Sequence, residues 1–161
     1  MYKRQTLYRD CYGISAPYPT TDVVVYSSCG ANIVVTMTEA SNTNITPACD
    51  MSLTCIVPNT LGYTGVEKHV YTGTVTLPGA CSDYVFWWSD CCRNAAITNL
   101  NNAASHGATF YATLDNTTTP FNNSPVFAND PVIYLFAGQS YHLNNGMYDV
   151  DGDSLVISMV N

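Results

Sequence analysis

His69-Val-Tyr-Thr-Gly-Thr-Val-Thr-Leu77-Pro-Gly-Ala-Cys81-Ser-Asp83-Tyr-Val-Phe-Trp-Trp-Ser89 is the stretch on which the fold turns. Val70, Thr72, Thr74 and Thr76 alternate with Tyr71, Gly73, Val75 and Leu77, the period of two that marks a strand with one face covered. Pro78-Gly79 breaks it as a turn. A second alternation follows, with Tyr84, Phe86 and Trp88 on one face and Val85 and Trp87 on the other. Two tryptophans side by side on one strand cannot both enter one core. One is expected inside and the other at least partly outside.

Working outward, β-branched and aromatic residues keep the same signature. Residues 5–11 read as a strand turning at Gly13, and residues 15–20 as a Pro-rich loop. Val23-Val-Val-Tyr26 favours a strand, Cys29-Gly30 marks a turn, and residues 32–38 supply another strand. Residues 39–55 read as a polar loop stapled by Cys49 and Cys55. Residues 95–101 offer a short turn or single helical turn, and residues 109–114 a further strand. Beyond a Thr-rich linker, residues 125–127 and 130–136 suggest an edge strand, and Leu155-Val-Ile-Ser-Met-Val160 begins another. No amphipathic helix of usable length is present. The expected fold class is all-β: an immunoglobulin-like or related β-sandwich, disulfide-stapled, over residues 1–118, followed by the truncated start of a second β-domain over 119–161.

Composition narrows the functional classes. The 161 residues carry 5 basic and 12 acidic side chains, a formal charge of −7. No Lys or Arg follows Arg93, whereas Asp115, Asp130, Asp149, Asp151 and Asp153 do. A nucleic-acid partner needs a basic footprint, so none is expected. Anionic membranes are disfavoured for the same reason, and no apolar run is long enough for membrane insertion. Only 11% of residues are charged, and Asn, Thr and Ser supply the polarity, as in many secreted β-proteins. Seven cysteines, at positions 11, 29, 49, 55, 81, 91 and 92, lack paired Cys-x-x-Cys spacing. Disulfides in an oxidising, extracellular or cell-surface setting explain them better than zinc does. The odd count leaves one thiol free or paired elsewhere, and sequence does not choose the connectivity. Residues 1–11 contain no hydrophobic export segment, and together with the stop at Asn161 this suggests an internal fragment of a longer chain.

Three patterns carry chemistry. In Gly146-Met-Tyr-Asp-Val-Asp-Gly-Asp-Ser-Leu155, the alternate carboxylates Asp149, Asp151 and Asp153 are candidate Ca²⁺ ligands, because crowded like charges repel unless an ion neutralises them. Asn144, Asn145 and the Met147 carbonyl would add oxygens. An EF-hand is excluded, since its twelfth position would be Val160. The competing reading is a solvent-facing turn whose aspartates cap backbone N–H groups. Cys91 and Cys92 are expected to take separate partners, since neighbouring cysteines join with difficulty. Trp87 or Trp88, with Tyr neighbours, would make a sugar-stacking platform or interface if exposed, and a shielded core residue if not. His69, His106 and His142 show no paired spacing and read as polar strand or loop residues. Asp83 and Asp90 form no recognisable catalytic pair.

Leu7-Tyr-Arg-Asp-Cys11-Tyr-Gly13, Tyr71-Thr-Gly-Thr-Val-Thr-Leu-Pro78, Trp88-Ser-Asp-Cys-Cys-Arg-Asn94 and Asp149-Val-Asp-Gly-Asp-Ser-Leu155 together resemble a recurrent region of large secreted surface proteins of Bacteroidota. Those proteins are gliding-motility-associated or PKD-domain-containing, and many are type IX secretion cargo. The Cys-Cys-Arg-Asn stretch is the specific part, whereas Asp-x-Asp-Gly-Asp is shared by many cadherin-like domains. The resemblance implies a non-enzymatic structural or adhesive module, Ca²⁺ at Asp149, Asp151 and Asp153, and a partial cadherin-like or PKD-like second domain. Its implied partners are neighbouring domains of the same polypeptide and a surface polysaccharide or another surface protein. A carbohydrate-binding module using exposed Trp and Tyr is the alternative, and a hydrolase fragment a third possibility.

Overall fold

The structure, a computed structural model, describes residues 1–11, 19–46, 55, 65–95, 97–118, 122–131, 134–144 and 146–158. The chain divides into two compact units, Met1–Thr117 and Thr118–Asn161.

Unit one is an all-β domain. Its strands are β1 (Tyr2–Asp10), β2 (Thr20–Tyr26), β3 (Asn32–Asn44), β4 (Val66–Thr74), β5 (Tyr84–Asp90) and β6 (Ala108–Leu114). They form one antiparallel sheet in the order β1-β4-β3-β2-β5-β6. Alternation places Val23 and Val25 of β2, Val35 and Met37 of β3, Tyr71 of β4 and Tyr84 and Phe86 of β5 on one buried face. Leu7, Ile33, Leu77, Trp88 and Leu114 pack against them. A single flat sheet would leave that face wet. Lys3 of β1 instead sets its ammonium 3.6 Å from the centre of the Phe86 ring. Four inter-strand steps of ~4.8 Å separate β1 from β5 in the ladder, about 19 Å on a flat sheet. A lysine side chain cannot bridge that, so the sheet curls into a half-barrel and its two ends face each other, which gives the sandwich-like core. Burial of that ammonium lowers the Lys3 pKa, and the ring face gives the cation partial compensation.

Local sequence explains most of the boundaries. Gly30, at φ +93°, lets β2 turn into β3 with register Tyr26↔Asn32. Strand β3 runs to Asn44, beyond the expected end at residue 38, because β4 offers it a second ladder from Thr38↔Thr72 to Asn44↔Glu67. A register shift between Glu39 and Ser41 absorbs the mismatch. Strand β4 begins three residues earlier than expected and stops at Thr74. The short turn expected at 95–101 is seen where the Ile97 N–H donates to Asn94 O at 3.1 Å, and a short 3-10 turn follows at Ala103–Ser105, entered through Asn102 at φ +52°.

Two expectations about cysteines are corrected. Cys55 pairs with Cys11, not Cys49, and Cys11 itself is fixed at the end of the β1–β4 ladder, where Asp10 aligns with Val66 and the Cys11 N–H donates to Gly65 O at 3.0 Å. Cys49 lies outside the described residues, as do the loop at 12–18, Ala96, Asn145 and Val160. Cys91 pairs with Cys92 and not with two separate partners. Cys92 takes φ +97°, a backbone turn that β-branched or bulky residues avoid. The turn is held where the Arg93 N–H donates to His106 O at 2.8 Å. Cys29–Cys81 ties the β2–β3 turn to the approach to β5.

Unit two holds one short antiparallel pair, β7 (Val126–Phe127) and β8 (Met147–Tyr148). The described part of 130–136 forms no strand, and neither do residues 155–158. Strand-forming sequence needs a neighbour to supply hydrogen bonds, and a two-residue pair offers very little edge. Val156 is accordingly 92% exposed.

Candidate functional site

The aspartate loop is wound around Asp149. Its Oδ1 accepts the N–H of Asp151 at 2.8 Å and of Asp153 at 3.4 Å, while Gly152 at φ +83° closes the turn. The Asp151 side chain is engaged by a different partner. Its carboxylate accepts the Asn123 backbone N–H at 2.6 Å and the Asn123 side-chain amide at 3.0 Å. Those bonds, the backbone one foremost, hold the Asp151 pKa below the usual aspartate value. Asn144 Oδ1 accepts the Gly146 N–H at 2.8 Å, so it too is engaged in its own turn. Among the described residues, the groups of three or more ligand-type side chains with converging atoms are Cys11, Cys55 and Glu67, and Cys29, Cys81 and Asp83, each built on disulfide-bonded cysteines. The trio Asp149, Asp151 and Asp153 is not among them. Its donor chemistry suits a hard cation. Ligation by all three requires their carboxylates to converge, while Asp151 is held by Asn123.

Trp87 and Trp88 diverge as the alternation requires. Trp88 is half-buried against the core, with its indole N–H donated to Thr21 Oγ1 at 2.8 Å. Trp87 is 38% exposed on the opposite face and stacks on Tyr111 of β6, with ring centroids 6.5 Å apart and planes 20° from parallel. The cross-strand register Trp87↔Tyr111 and Val24↔Trp87 sets this directly.

Asp83 precedes β5 and Asp90 ends it, seven residues or about 23 Å of extended chain apart, beyond any glycosidase pair. Asp83 instead caps the Ser28 N–H at 3.2 Å. One cluster went unread in the sequence. His69, 2% exposed, places Nδ1 2.6 Å from Glu39 Oε1 and Nε2 3.3 Å from Glu67 Oε2, and Glu67 also accepts from Arg9 at 2.8 Å. Both ring nitrogens are thereby spent, which suits a ring that joins β3 and β4 and leaves it no nitrogen to offer a substrate. Burial first and the charge of the Glu39 carboxylate second raise the Tyr71 pKa. No spacing rule joins residues 9, 39, 67 and 69; the three-strand register β1-β4-β3 does. An open depression of about 570 Å³ lies over Arg93, Ile97, Leu100 and His106, with the Arg93 Nε–H donated to Gly107 O at 3.2 Å.

No protein-family model matches the chain, and neither the curated proteins nor the solved structures contain a match to it.

Proposed function

We propose that the chain is a non-enzymatic structural or adhesive module of a large exported cell-surface protein, with Ca²⁺ ordering the aspartate loop of its second unit. The observation that carries this reading is a disulfide-tied β-domain followed in tandem by a second, small β unit. Disulfides favour an oxidising compartment, and tandem β units suit a load-bearing string. Among the described residues no helix is long and apolar enough to cross a membrane. The aspartate loop contributes oxygen donors already wound round one turn. Asp149 and Asp153 would hold the ion first, and Asp151 would join on exchanging its Asn123 bonds for the cation. The ion supplies charge neutralisation there, and the loop in turn holds its strand ends in place.

Thermal melts with and without millimolar calcium test this, repeated on an Asp151→Asn/Asp153→Asn double variant. A ligand that binds only the folded state raises the midpoint by mass action. The expected result is a rise of several degrees in the parent and none in the variant. An unchanged midpoint in a folded parent would remove the calcium part of the reading.

A further inference from the structure

The outer face of the half-barrel carries an ordered apolar row. Tyr111, Trp87, Val24 and Val34 are aligned across β6, β5, β2 and β3 by direct cross-strand pairing. Tyr111 is 69% exposed and Val34 62%, while Trp87 is exposed to a lesser degree and Val24 is half-buried between them. Tyr26, 42% exposed, adds a third ring one step along β2, two residues from Val24. Three inter-strand spacings make the row about 14 Å long. On its other side lies a polar row one step along each strand: Thr109, Ser89, Asp22 and Thr36. There the Thr36 hydroxyl donates to Asp22 Oδ1 at 2.7 Å. An apolar row of this kind on a sheet face marks an interaction surface.

Charge selects the occupant. Strands β2, β3, β5 and β6 contain no Lys or Arg, whereas Asp22 sits on the face itself. With a net charge of −7 the molecule repels polyanions and a second copy of itself. A neutral partner with apolar flat faces and hydroxyl edges fits both rows at once. Its C–H faces would lie on Trp87 and Tyr111, and its hydroxyls would reach the Asp22 carboxylate and the Ser and Thr oxygens.

We propose that the outer face of β6-β5-β2-β3, centred on the Trp87–Tyr111 stack, is a binding platform for neutral polysaccharide. The proposal rests on the adhesive part of the reading above and names its ligand. It needs no calcium, so the melts described there and the following assay fail separately. The test is affinity electrophoresis of the whole chain through gels containing β-1,4-glucan, β-1,3-glucan, mannan or galactan, with alginate as the acidic control. At least one neutral gel is expected to retard the parent, and alginate to leave it unretarded. Trp87→Ala should weaken the retardation at least about tenfold, as expected for loss of a central aromatic anchor. Tyr111→Ala should weaken it less, and Trp87→Phe should restore most of it. The indole fluorescence of Trp88, still hydrogen-bonded inside, reports that each variant is folded. Absence of retardation in every neutral gel overturns the proposal. So does retardation that survives both alanine variants, or retardation by alginate alone. A dimer in sedimentation that Trp87→Ala abolishes, without retardation by glycan, would overturn it by showing that a second copy covers the face.

Discussion

At the scale of single residues, hydrogen bonds to carboxylates decide more than burial does. Asp151 is solvent-exposed, yet the Asn123 backbone N–H, helped by the Asn123 amide, holds its pKa down. A carboxyl whose pKa is lower in the folded chain contributes stability above its unfolded value, about 3.9. That contribution fades as pH falls through the lower folded value. In a carboxyl-carbon NMR titration, Asp151 should therefore turn over below the ordinary aspartate range. Asn123→Ala should move its midpoint only part of the way back, because the larger backbone contribution survives the substitution. A midpoint at the ordinary value in the parent would show that the Asn123–Asp151 bonds do not persist in solution. Asp115 follows the same logic with a different donor, its pKa lowered by the Thr117 hydroxyl and then by the Thr117 N–H.

Elements were legible where side-chain alternation dictated them and obscure where pairing did. The split of Tyr84, Phe86 and Trp88 onto one face and of Val85 and Trp87 onto the other follows from the pleat alone and holds in β5, whereas which face turns inward is settled by the neighbouring strands. The extension of β3 to Asn44 does not, since Glu39-Ala-Ser-Asn-Thr-Asn44 is polar and becomes a strand only because β4 lies alongside. The Arg9–Glu67–His69–Glu39 cluster was hidden for the same reason, being assembled from three strands. Residues 155–158 show the converse, with β-prone sequence left without a ladder. The β5–β6 connection depends on one position of this kind. A Cβ at Gly107 would stand 2.8 Å from the Asp90 carbonyl oxygen, backbone that cannot rotate aside, whereas one at Gly79 would meet nothing within 4 Å. Gly107→Ala should cost about 1–3 kcal/mol and lower the melting midpoint by several degrees. Gly79→Ala should leave it within about a degree, and equal effects at the two sites would refute the close approach.

Across the whole molecule, the disulfides differ in what they cross-link. Cys29–Cys81 closes a loop of 52 residues and Cys11–Cys55 one of 44, whereas Cys91–Cys92 joins immediate neighbours. If a cross-link acts chiefly by restricting the unfolded chain, a loop of about fifty residues is worth about 4 kcal/mol, while a link between neighbours restricts almost nothing. Burial adds to the contrast. Cys81 is 2% exposed among the core residues, while Cys91 and Cys92 are both exposed. In guanidinium unfolding, Cys29→Ala/Cys81→Ala should therefore lose about 4 kcal/mol, and its denaturant slope should steepen because the freed chain exposes more surface when unfolded. Cys91→Ala/Cys92→Ala should lose under about 1 kcal/mol at an unchanged slope. Similar losses for both pairs would mean that the Cys91–Cys92 turn holds the β5–β6 connection in the folded state, and that its worth lies in native geometry and not in the unfolded chain. The unequal outcome would place much of the stability of this half-barrel in the long-range Cys29–Cys81 tie, the kind of cross-link that a small domain with a limited core needs most.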